Sequence, residues 1–181
     1  MALGRNACGR CEFDGSEEEL KQRRGDFLSD YVEMRFGPRW TYISCVRKFV
    51  ASFFMIGLAD KERAEQISMA ASELLENAVK YASEEEGYLK ISIQKQQNEV
   101  DVCVKNKAES QHINTLRREF ALIHAGQPET VYLKKMEEAA MTEGQSRLGL
   151  IRILFEAGAR LRLDVNEGEV SIHAIFPLET A

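Results

Sequence analysis

A basic excess is what this chain most plainly lacks. Its 181 residues hold 24 Lys and Arg against 29 Asp and Glu, a net charge of −5. Binding to DNA or RNA needs a basic face that neutralises phosphates, so the composition argues against a nucleic-acid partner. No run reaches the roughly 18 apolar residues expected of a membrane span. The N-terminus has no apolar core of the signal-peptide kind. The expectation is therefore a cytoplasmic protein with no membrane partner. Metal patterns are also scarce. Cys8 and Cys11 form a lone C-x-x-C with no second pair and no H-x3-H, which falls short of a four-ligand zinc site. The residues before it are not strand-like, as a redox motif would require, so it reads as part of an N-terminal tail. His112, His124 and His173 lack ligand-like spacing and read as surface or packing residues. Repeats and low-complexity tracts are absent too.

What remains is a globular composition, 44% hydrophobic and 29% charged, with length for one domain and a real core. After a tail or short helix over residues 1–29, Val32, Met34 and Phe36 alternate as a strand that Gly37 and Pro38 end. Val46, Phe49, Val50, Phe53 and Phe54 then recur at helical spacing, giving a helix over about 42–57 with a wide buried face. Cys45, at an apolar position of that helix, reads as a core thiol, as does Cys103 on a later strand. Asp60 suits the N-cap of a long helix over 61–83, whose stripe is Ile67, Ala71, Leu74, Leu75, Ala78 and Ala82.

Two hairpins follow. Leu89, Ile91 and Ile93 turn at 96–98 into Val100, Val102 and Val104; Leu161, Leu163 and Val165 turn at 166–168 into Val170, Ile172, Ala174 and Phe176. Between them lie helical stretches over about 113–124, 128–141 and 148–157. This pattern implies an α+β sandwich of two layers, with helices on one face of the sheet.

Within the long helix, Glu73 and Asn77 are four residues apart and Lys80 continues the same face. A carboxylate, a neutral oxygen donor and a cation on one wall suit a magnesium–triphosphate, although on an anonymous helix the same trio is an ordinary solvated face. The surrounding segment, Glu-Leu-Leu-Glu-Asn-Ala-Val-Lys-Tyr-Ala over residues 73–82, resembles the N-box of the GHKL (Bergerat-fold) ATPase superfamily. It looks most like the anti-sigma-factor serine kinases, with histidine-kinase-like ATPase domains close behind. The preceding strand, the Trp40-Thr41-Tyr42 helix start and the helix through Phe54 occur in the family's order, so the resemblance covers residues 30–177.

The resemblance implies a mixed, mostly antiparallel sheet, with Glu73 as general base and Asn77 holding Mg2+. Two glycine boxes are altered. Asn106 stands where the adenine-binding Asp belongs and offers a weaker neutral acceptor, while Ala108 and Ser110 replace glycines. In the second box Ser146 and Arg147 replace a Gly pair and Leu148-Gly149-Leu150 survives; Arg147 either contacts a phosphate or fills its space. Residues 109–143 correspond to the ATP lid.

Two functions follow from the resemblance. One is an ATP- and Mg2+-binding switch that phosphorylates a Ser of a protein partner, a sigma factor or an anti-anti-sigma (STAS-type) antagonist being the expected partner class. The other is a degenerate binding module that holds a partner without using nucleotide. A homodimer is also implied.

Overall fold

The computed structural model describes residues 29–37, 39–58, 60–94, 96–125 and 149–178, with single helical positions at 129, 132–133 and 136–137. The expected tail over 1–29, apart from Ser29, and most of the expected helix over 128–141 lie outside the described residues. The elements are β1 (Ser29–Phe36), α1 (Trp40–Leu58), α2 (Lys61–Tyr81), β2 (Ala82–Gln94), β3 (Glu99–Ala108), α3 (Ser110–His124), α4 (Gly149–Phe155), β4 (Arg160–Asn166) and β5 (Glu169–Pro177). The five strands form one sheet in the order β1-β2-β3-β5-β4. Every described pair is antiparallel, so the parallel component expected of a mixed sheet is not among them.

Local chemistry accounts for the boundaries. Asp60 has extended backbone and its carboxylate accepts from the Arg63 N–H at 3.0 Å. This cap satisfies one orphan donor of α2 and contributes about 1 kcal/mol. The β4–β5 turn places Glu167 and Gly168 at φ 47° and 84°. Two positive φ values make a two-residue hairpin loop whose twist matches the strands, and glycine takes the second of them without steric cost. Strand alternation sends Val100, Val102 and Val104 of β3, with Ile172, Ala174 and Phe176 of β5, to the helix side, where all are buried. They meet Ile67, Leu74 and Leu75 of α2 and Ile151 and Ile153 of α4 in one core.

The structure departs from the sequence reading at three places. β2 begins at Ala82, seven residues before the alternation of Leu89, Ile91 and Ile93, with an irregular register between Ala82 and Gly87. The acidic run Glu84–Glu86 has little strand propensity, but Glu84 pairs with Lys107 at 2.8 Å and Glu86 with Arg35 at 3.1 Å across neighbouring strands. Second, α1 buries a narrower face than its spacing implied. Val46, Val50 and Phe54 are buried, whereas Phe49 is 41% exposed and Cys45 is exposed. The helix packs chiefly on α2, so only one flank of its apolar arc finds a partner. Cys103 is buried, as read. Third, α1, 19 residues long, is long and apolar enough by length and composition to cross a membrane, with mean hydropathy 1.3 over an 18-residue window, contrary to the absence of such a run in the sequence reading. Its charged residues are the adjacent Arg47 and Lys48.

Candidate functional site

The site is built on the outer end of α2. Its Ala64, Ile67, Ala71, Leu74, Leu75 and Ala78 are turned into the core, which leaves residues 73, 77 and 80 on the wall facing α3 and α4. Asn77, Lys80 and Tyr81 line one side of a pocket of about 360 Å³; Gln111, His112, Thr115, Leu116 and Glu119 of α3 line a second; Gly149 and Leu150 of α4 close the third. That volume lies at the small end of ligand sites. Lys80 Nζ sits 5.2 Å from the centre of the Tyr81 ring, and the His112 ring lies 4.7 Å from the same tyrosine, tilted by 45°. His112 Nδ1 is buried without a hydrogen-bond partner among the described residues.

Glu73 belongs to the same helix face but is held differently. Arg152 of α4 donates from Nη1 to Glu73 Oε1 at 2.5 Å. The same guanidinium bonds both carboxylate oxygens of Glu156, through Nε at 3.1 and 3.2 Å and through Nη2 at 3.1 Å. Burial pushes the Glu73 carboxyl above the ordinary glutamate range, and Arg152 opposes that shift. Gly149 explains how α4 comes so close. A Cβ there would stand 2.7 Å from Glu73 Oε2 and 3.6 Å from the Asn77 amide, so the helix start fits against the two side chains only without a side chain of its own.

The sequence-derived residues therefore divide into groups. Asn77, Lys80 and Gly149 come together around one pocket, with Glu73 behind Gly149 in its ion pair. Asn106 and Ala108 do not line this pocket. The Asn106 amide donates to the Lys107 carbonyl at 3.0 Å and the residue borders a separate surface depression with Glu84, Tyr88 and Lys105. Ala108 is buried and bonds the Gly168 carbonyl through its N–H at 3.1 Å. Ser146, Arg147 and Leu148 lie outside the described residues. Of the lid segment 109–143, α3 forms a pocket wall.

Sequence reasoning missed Tyr81, His112 and Arg152. The Arg152–Glu156 spacing of four was a visible i,i+4 pair, but its reach to Glu73, 79 residues away, depends on the packing of α4 against α2. His112 was set aside because it has no ligand-like spacing; its place beside Tyr81 comes from α3 folding over the end of α2.

As a donor set the pocket offers one amide oxygen, one ammonium and polar groups of α3. Among the described residues there is no group of three His, Cys, Asp or Glu able to hold a metal alone. The donor that bears on Mg2+ is the Asn77 side-chain oxygen, a hard ligand of the kind that cation takes beside water and substrate phosphates.

Comparison with known proteins adds the following. A match to the histidine kinase-like ATPase domain spans residues 36–131, just over half of the chain. No curated protein sequence matches. Among solved structures, a chain of the SiaB–SiaC complex from Pseudomonas aeruginosa is similar with a TM-score of 0.60 at 15% identity, over 90% of this chain and 99% of that one. At that identity the likeness concerns the fold.

Proposed function

Because the chain belongs to the histidine kinase-like ATPase domain family, we propose that it is an ATP-binding regulatory switch whose pocket is the one bounded by α2, α3 and α4. The observation that carries this reading is the convergence of Asn77, Lys80 and Gly149 on one cavity. Lys80 supplies a positive charge for phosphate oxygens, and the Asn77 side-chain oxygen supplies the protein ligand for Mg2+. Bound Mg2+ supplies neutralisation of the phosphate charge. In the kinase form of the reading, Glu73 accepts the proton of a seryl hydroxyl of a protein partner as that oxygen takes the γ-phosphoryl group and ADP leaves. Its buried, partly desolvated carboxylate suits a base. Arg152 bonds only Oε1, so Oε2, on the Gly149 side, is the oxygen that accepts the proton.

A partner of sigma-factor or anti-anti-sigma type is the one the N-box resemblance implies, and the similar solved chain was crystallised as a complex of two proteins. A cytoplasmic location accords with that partner class. The second reading, a protein-binding module that does not turn nucleotide over, draws on the Glu73–Arg152 bond and on Asn106 lying away from the pocket. Calorimetric titration of the full chain with Mg-ATP tests the proposal. Asn77→Ala and Lys80→Ala are each expected to weaken binding at least about tenfold, the loss of one charge-assisted contact. Unchanged affinity in both variants would move the nucleotide elsewhere. Incubation with γ-labelled ATP and candidate partners then separates the readings: label on a partner, lost in Glu73→Gln, marks the kinase.

A further inference from the structure

Three residues of α4 and its last turn share one face. Gly149, Arg152 and Glu156 are spaced by three and four positions, so they lie one above another along the helix. The Glu156 N–H still donates to the Arg152 carbonyl at 2.8 Å, which keeps that residue in register. Each of the three acts differently on Glu73. Gly149 lets the carboxylate approach, since a Cβ there would stand 2.7 Å from Oε2. Arg152 donates from Nη1 to the other oxygen, Oε1, at 2.5 Å. Glu156 accepts from Nε and Nη2 of the same guanidinium and so holds the arginine rather than the glutamate.

The division of those bonds distinguishes a support from an ordinary ion pair. A guanidinium that serves to neutralise a buried carboxylate does so best by gripping both oxygens with its fork. Here the fork goes to Glu156, which is half-exposed, while the more buried Glu73 receives one N–H on one oxygen. The bond to Glu73 therefore fixes a direction. With Oε1 held by Arg152, Oε2 lies over Gly149, where a Cβ would also stand 3.6 Å from the Asn77 amide nitrogen. Asn77 and Gly149 both line the pocket, so the free oxygen stands at its edge.

We propose that Arg152, anchored by Glu156, is a positioning residue that holds Oε1 of Glu73 so that Oε2 is presented, over Gly149, at the edge of the pocket. This role rests on the reading of Glu73 as general base. In that reaction the seryl oxygen bonds the γ-phosphorus, the bond to the bridging oxygen of ADP breaks, and the hydroxyl proton passes to Oε2; Arg152 neither gains nor loses a proton. The surrounding charges give Arg152 a second effect. Burial favours the protonated form of Glu73, which accepts nothing, and Arg152 is the main influence against it. Arg47 of α1 acts in the same sense as Arg152, whereas Glu76 of α2 and Glu156 act with burial.

Two measurements on the full chain test this, and the first needs no turnover. Isotope-edited NMR follows the Glu73 carboxyl through an acid titration. Arg152→Gln should move its midpoint upward, because Arg47 is then left to oppose burial, and Arg152→Lys should return it most of the way. An unchanged midpoint in Arg152→Gln would overturn the proposal. The second measurement is phosphate release from Mg-ATP, with water or a seryl partner as acceptor. Arg152→Gln should lower kcat at least about tenfold and shift the acid limb of its pH profile upward. KM for Mg-ATP should change less than about twofold, since Asn77 and Lys80 are untouched. Arg152→Lys should restore the acid limb but not the full kcat, because an ammonium has no fork with which to hold Glu156 while bonding Glu73. Glu156→Gln, which weakens the anchor and keeps the cation, should lower kcat without raising the acid limb, and it serves if Arg152→Gln does not fold. A rise in kcat on losing Arg152 would make the bond a lock and overturn the proposal. A parent chain that binds Mg-ATP and releases no phosphate would remove the kinase reading, and the carboxyl titration would still decide whether Arg152 governs Glu73.

Discussion

Two charge clusters hold ionisable side chains out of water, one on each face of the sandwich. On the helix side, Glu73 is bound by Arg152, itself fixed by Glu156. On the opposite face of the sheet, His173 of β5 lies against Asp101 of β3, with both carboxylate oxygens 3.0 Å from Nδ1, and near Cys103 Sγ at 3.5 Å. The histidine is the more strongly perturbed of the two. Hydrogen bonds to Asp101 and then Cys103 push its pKa up to about 9. Arg162 Nη2, 3.1 Å from Nε2, opposes the second proton, but Asp164 lies 3.5 Å from the same nitrogen and the two-oxygen contact of Asp101 decides the direction. Yet it lines neither of the two cavities described above, and ordinary cross-strand pairing accounts for its partners. Glu73 borders a cavity through Gly149 and Asn77. A displaced pKa therefore marks buried charge; only its neighbourhood marks a site.

The contrast can be broken most strongly on the helix side. Arg152→Ala should destabilise the domain by about 2 kcal/mol, because Glu73, whose side chain is only 16% exposed, is left without its partner. Glu73→Gln in the same background should recover part of that loss. Denaturant titrations of the single and double variants check both, and a loss in the double equal to the sum of the two singles would show that the pair is not coupled.

On the sheet side the sign runs with protonation. The folded-state pKa of His173 is raised, so its contribution is complete below about pH 6.5 and disappears as pH rises through about 9. Discounted for partial solvent screening, the effect is about 2 kcal/mol at most. Melting curves from pH 6 to pH 9.5 should show this loss in the parent chain and a flatter profile in Asp101→Asn. An identical profile in the two proteins would remove Asp101 as its source.

The smallest expected effect lies at Asn106. Its amide is committed to the Lys107 carbonyl and does not border the α2 pocket, so Asn106→Ala should change ATP affinity less than about twofold. A tenfold loss would place the adenine-binding role back on this residue and break the separation of the two regions.

Much of the frame was legible because it follows short-range rules. The Asp60 cap, the stripe of α2, the turns at 96–98 and 166–168 and the alternation of β3 and β5 all rest on residues a few positions apart. The α2 wall of the pocket was legible for the same reason, since Asn77 and Lys80 are separated by one helical turn. The other walls were not. That His112 meets the Tyr81 ring, that Arg152 reaches Glu73 and that Asn106 borders one depression with Glu84 are results of packing between distant segments. The error at α1 has a related cause. Periodicity finds an apolar arc but not how much of it a neighbour covers, and here α2 covers one flank while Phe49 and Cys45 stay in solvent.

The measurement that tests the central claim most directly is calorimetric titration of the full chain with ATP, with and without magnesium. The account predicts micromolar binding that needs the metal, since one asparagine oxygen and one lysine hold the triphosphate well only when a cation shares the charge. No binding at millimolar ATP would contradict it, and the pocket of Asn77, Lys80 and Gly149 would then be a relic of the fold beside a surface that works through protein partners alone.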